Sequence, residues 1–215
     1  MTRKVASQGV GRRFGRWVEI LAAIVLSLAT VATAWCGYQA TRWGGEQARA
    51  YSEASANRIR ASQKANEAIL AANLHADLFV EYMSARLGGN QALADALYQR
   101  FPAPLKTAAD AWLALDPLNN PNAPPTPFAM PEYQLIQRDE ALALDQLADE
   151  RFNAANQAND LSDEYVRLTV IFATVLLFGG MSGKFQWRAI DATMLVIGAV
   201  VFIGALVSLL GAPVK

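Results

Sequence analysis

The sequence predicts an all-α integral membrane protein: three transmembrane helices carrying an extracytoplasmic helical bundle or hairpin, assembled as a homo-oligomer. Three observations lead there. Residues 18–39, 166–183 and 190–210 are apolar for long enough to cross about 30 Å of hydrocarbon, and the ionisable groups in them, Glu19, Arg167 and Asp191, sit within the first two positions. The charges outside these windows are segregated by sign. Between the first two windows lie two long polar helical runs joined through short helices and a proline-rich loop, the pattern of a helical hairpin.

Residues 1–17 carry Arg3, Lys4, Arg12, Arg13 and Arg16 and no acid, and the link 184–189 adds Lys184 and Arg188. The positive-inside rule puts both on the cytoplasmic side, and so places residues 40–165 and the C-terminal 211–215 outside a bacterial inner membrane. The first span, 18–39, is bracketed by Trp17 at its inner edge and Trp35, Tyr38 and Trp43 at its outer edge. With Trp187 in the link, these form an interfacial aromatic belt. Gly11 to Trp17, followed by an apolar run and Ala32-Thr33-Ala34, also imitates a cleavable export signal. The run is longer than a usual signal core, and the next span would still anchor the product, so an uncleaved span is expected.

Beyond Gly44-Gly45, which offers a hinge or a close helix contact, a helix is expected to run to Leu87 and stop at Gly88-Gly89. Asn90 is placed to cap a short helix with Leu93, Leu97 and Phe101 on one face. Pro102 and Pro104 end it, and Leu105, Ala108, Trp112 and Leu115 mark another. Residues 116–131 hold six of the nine prolines and must be a loop. From Glu132 a second long helix runs through Leu147, Phe152 and Ala155 into the second span. Ile69, Leu70, Leu74, Leu78, Phe79, Val80, Tyr82 and Met83 are expected to form a core with the short helices. Nearer the membrane both arms are mostly Ala, Asn, Gln and Ser, too little apolar surface to offset ordering costs of about 1–2 kcal/mol per residue. Neighbours from other copies of the chain are therefore expected.

The most specific spacing is Ala23, Ser27, Thr30, Ala34, Gly37 and Thr41, a stripe of small residues at alternating three- and four-residue intervals that reaches Glu19 one step inward. Helices in lipid associate through such faces by close van der Waals packing. Three uses fit: packing on the chain's own second and third spans, packing between subunits, or lining a hydrated pore with Glu19 at its inner mouth.

No phosphate-binding, dinucleotide, nucleophile-elbow or metalloprotease motif occurs, so neither an enzyme, a cofactor nor a metal is expected. His75 has no Cys or His at ligand spacing and reads as a satisfied helix-face histidine. The acidic pairs 139–140, 149–150 and 163–164 are adjacent on a helix and point about 100° apart, unlike converging catalytic carboxylates. Residues 46–164 hold 17 acids against 9 bases, which disfavours nucleic acid as a partner. Arg58, Arg60 and Lys64 could set the register of the acidic return arm. Cys36 stands alone and forms no intrachain disulfide. The expected role is a non-enzymatic interaction or scaffolding protein, its partners membrane lipid, further copies of itself and an envelope protein. The alternative is an oligomeric channel lined by the small face of the first span.

The segment Thr33–Ala48, through Trp35, Tyr38, Gln39, Ala40 and Trp43, resembles an uncharacterised bacterial membrane-protein family with one N-terminal span, a helical external segment and a C-terminal two-span hairpin. The resemblance implies that topology and a bacterial inner membrane, and no activity. The layout is also similar to the external helical sensor domains of bacterial chemoreceptors, without their cytoplasmic output domain.

Overall fold

The computed structural model describes the backbone of residues 5–181 and 188–215 and the side chains of residues 19–20, 22–181 and 192–215. The described residues form five α-helices and one 3-10 turn: α1 (Val5–Leu87), α2 (Gln91–Gln99), α3 (Ala103–Leu113), the turn Pro127–Ala129, α4 (Ile136–Met181) and α5 (Arg188–Gly211). Three of them, α1, α4 and α5, contain stretches long and apolar enough to cross a membrane. The chain divides into two compact units, residues 52–151 and the remainder. That division falls at 51/152, above the span limits read from hydropathy.

In the first unit α1, α4 and α5 meet small against large. Ala29, Ala32, Cys36 and Ala40 of α1 are buried against Tyr165, Leu168, Phe172 and Val175 of α4, with Phe202 and Ala205 of α5 completing the cluster. Phe172 and Phe202 lie edge to face at 5.9 Å. Gly179 marks a required close approach: a Cβ there would stand 2.4 Å from Leu26 Cδ2. Past the apolar stretch the helices are joined by polar rungs. Ser162 Oγ donates to Ala40 O (3.0 Å), Gln47 Nε2 to Asn159 Oδ1 (2.8 Å) and Tyr51 OH to Asn156 Oδ1 (2.7 Å). The Asn and Gln of the polar neck thus bond across the helix pair, and Ala50, Ala155 and Ala158 are buried beside them. Gly44 is no hinge, because α1 continues through it; its Cα hydrogens face Ser162, whose Oγ would lie 3.8 Å from an added Cβ.

The second unit holds an aromatic core. Phe79 and Tyr82 of α1 pack with Phe101, Leu105 and Trp112, and Ala85, Ala94 and Ala109 fill the gaps. Phe79 meets Trp112 at 5.5 Å and Phe128 at 5.7 Å, both edge to face, a geometry favoured by the ring quadrupole. Local chemistry sets the helix ends. Gly89 takes a left-handed φ of +77° that only glycine adopts freely, and Asn90 N–H bonds Ala85 O (2.9 Å) while Gly89 N–H bonds Arg86 O (3.3 Å). This closes α1 in a Schellman motif. Asn90 Oδ1 then accepts from Leu93 N–H (3.2 Å) and caps α2, as its sequence position predicts.

Three expectations change here. Ile69, Leu70, Leu74 and Val80 are exposed, not part of the core; α1 turns only one side to the short helices, and these four occupy other sides. Leu115 lies beyond the end of α3 and is 41% exposed. The return helix begins at Ile136 rather than Glu132, because residues 132–135 are non-helical, with Tyr133 half-buried and Leu135 buried. The proline loop is folded back: Trp112 Nε1 donates to Pro124 O (2.7 Å), Pro127 is buried, and Phe128 packs edge-on to Tyr133 at 5.0 Å. The expected register pairs appear as Arg58–Asp149 and Lys64–Glu140 (3.1 Å), with Arg151–Glu53 (3.4 Å) added.

Candidate functional site where α1 leaves its apolar stretch

Two rows of α1 compete for the helix's small face, and the structure separates them. Helices α4 and α5 and the tail cover Ala29, Ala32, Cys36 and Ala40, together with Gln39. The sequence-derived stripe lies elsewhere: Glu19, Ala23, Ser27, Thr30, Ala34 and Thr41 are exposed and Gly37 is half-buried. Packing of this stripe on the chain's own second and third spans is thereby corrected. The reason is that small residues surround this helix, and the bulky Tyr165, Leu168 and Phe172 select the alanine row for their holes. Ser27 donates to Ala23 O (2.8 Å), Thr30 to Leu26 O (2.9 Å) and Thr41 to Gly37 O (3.0 Å), so each hydroxyl hydrogen is spent on its own helix.

The aromatic residues also divide. Trp35 and Tyr38 are exposed, with ring centroids 5.8 Å apart, and Arg42 Nη1 donates to Tyr38 OH (3.3 Å). Trp17 and Trp187 lie outside the described side chains. Trp43 has a different job, since it belongs to a clamp on the tail that follows α5.

The clamp gathers four residues spaced along two helices. Gln39 is fully buried, and its amide makes a reciprocal pair with the last residue: Lys215 N–H donates to Gln39 Oε1 (3.1 Å) and Gln39 Nε2 donates to Lys215 O (3.3 Å). Pro213 O accepts twice, from Trp43 Nε1 (3.2 Å) and Tyr165 OH (3.0 Å). The Lys215 ammonium sits 2.8 Å from Glu46 Oε2 and 5.0 Å from the centroid of the Trp43 ring, an ion pair and a cation–π contact together. The Glu46 carboxyl is held down to about 2 by its hydrogen bonds, first to Arg49 and then to Lys215. Every group in the cleft is matched by a group on the tail.

Sequence reasoning missed this site, although two signals pointed to it. A glutamine inside an aromatic, largely apolar segment needs a partner once buried, and Lys215 is a lone base after residues 192–214, which carry no charge. What the sequence could not supply was the meeting of positions 176 residues apart.

In the second unit His75 is buried and its Nδ1 lies 2.9 Å from Tyr133 OH, which satisfies it as expected. Burial lowers the imidazole pKa and raises that of the Tyr133 phenol. Beside this pair, a groove of about 540 Å³ runs between α1 and α4 over Ala61, Ala65, Ala68 and Ala141, flanked by Ile69 and Leu142.

No known protein-family model matches the chain, and neither curated proteins nor solved structures provide a match. The class defined by fold and composition is an all-helical protein with three helices able to span a membrane.

Proposed function

We propose that the chain is a non-enzymatic, oligomeric protein of the bacterial inner membrane that presents the helical unit of residues 52–151 to an envelope partner. The observation that carries this reading is the small row Ala23–Thr41, left exposed after the chain's own spans have packed. A slim face left largely exposed among the described residues is what a second helix in lipid requires. The exposed Ile69, Leu70, Leu74 and Leu142 of the 52–151 unit add apolar surface for a partner on an otherwise charged domain.

Topology follows the charge pattern, with the N-terminus inside and residues 40–165 and 211–215 outside. The clamp fits the placement of these two segments on one side, because the tail and the start of the polar helix meet through Lys215 and Glu46. The channel alternative draws less from the geometry, since the hydroxyls of Ser27, Thr30 and Thr41 donate back into their own helix.

Native mass spectrometry in detergent tests the proposal. The parent chain is expected as a multimer, and Ser27→Leu with Ala34→Leu is expected to shift it towards monomer while helicity stays unchanged. A parent monomer, or a multimer indifferent to both leucines, would remove the proposed contact.

A further inference from the structure

We propose that the cleft of Gln39, Trp43, Glu46 and Tyr165 is a recognition site for an extended Pro-x-Lys peptide, filled here in cis by residues 213–215 as an exchangeable strap. The contacts have the logic of peptide reading. The Gln39 amide takes both the N–H and the oxygen of Lys215, the way a strand edge reads a neighbouring main chain whatever its side chain. Two donors converge on the Pro213 carbonyl, and proline's missing N–H leaves no donor unpaired at that position. Side-chain selectivity is confined to Lys215, held between carboxylate and indole. Val214 is 64% exposed and is read by nothing in the cleft.

The strap can exchange because of what holds it. Its three residues are exposed, and its docking rests on polar contacts that water can replace, with no buried apolar anchor among them. An emptied cleft presents the Gln39 amide, an indole N–H and a phenol O–H in the same arrangement, ready to be engaged again by a chain of the same chemistry. The inference concerns one subunit, so it stands or falls independently of oligomer size and of any envelope partner.

Electron paramagnetic resonance of a nitroxide at position 214, in the Cys36→Ala, Val214→Cys chain reconstituted in lipid nanodiscs, reads the strap directly. A slow-motion spectrum is expected, turning fast in Lys215→Glu and in Gln39→Leu, and slow again when Lys215→Glu is combined with Glu46→Lys. Adding the synthetic peptide Gly-Ala-Pro-Val-Lys at millimolar concentration is expected to convert a growing fraction to the fast spectrum, and a peptide ending in Glu is not. Gln39→Leu replaces a buried side chain with one of similar size, and its circular dichroism checks that the helices persist. A label that is fast from the start, or that ignores both substitutions, overturns the cleft; a label that ignores the Lys-ended peptide overturns its exchange.

Discussion

Phe172 and Phe79 are both buried phenyl rings, each edge-on to another aromatic ring, yet they stabilise the chain by different physics. Phe79 belongs to the unit of residues 52–151, where a cluster of Phe, Tyr, Trp and Leu leaves water and gains from doing so. Phe172 belongs to a stretch apolar enough for lipid, clustered with Ala29, Ala32 and Cys36; in a bilayer the tails would be as greasy as the ring, and close fit would be what its burial gains. The contrast explains the choice of small residues. Alanine contributes little to a water-driven core, but it lets helices approach closely, which is what matters once water is no longer the alternative.

Breaking the aromatic cluster has the largest expected effect. Trp112→Ala removes a buried ring and the indole N–H that tethers Pro124, and it is expected to cost about 3–5 kcal/mol by denaturant unfolding followed in the near ultraviolet. The close approach comes next. Gly179→Ala pushes a methyl into Leu26 and is expected to cost about 1–3 kcal/mol in thermal unfolding in nanodiscs, recovered largely by adding Leu26→Ala.

The third test uses pH and concerns the 52–151 unit. Burial keeps His75 neutral, so its folded pKa lies below the ordinary 6.5 and the unfolded chain takes up the proton first as the pH falls. Stability that is complete above pH 6.5 is therefore expected to drain away below it, and His75→Leu to flatten that slope in melting curves collected from pH 7 to 5. The smallest effect belongs to the surface. Arg58→Ala separates an exposed ion pair with Asp149 and is expected to change unfolding by about 0.5 kcal/mol or less, vanishing in high salt.

These differences bear on what a sequence can reveal. The end of α1 was legible because Gly88, Gly89 and Asn90 act on backbone groups within five residues of themselves. The three long apolar stretches were legible because hydropathy needs no partner, and the loop because proline cannot continue a helix. The register pairs at Arg58 and Lys64 were legible from charge alone, whereas among the described residues no ion pair uses Arg60 in the same way. The exposed Ile69 and Leu70 were misread, because clustering in sequence on a helix spreads residues around its circumference and cannot make them share a core.

By itself, then, the amino-acid sequence determined the helices, their ends, the three apolar stretches and the segregation of charge, all of which depend on interactions within a turn or two. Only the tertiary structure decided which of two small rows on α1 is covered, and where the buried amide of Gln39 finds its partners. Both depend on residues more than a hundred positions away. The shape of Tyr165, Leu168 and Phe172 chooses among alanines that are alike in sequence, and the tail at Pro213–Lys215 reaches Gln39 only after α5 has brought it back.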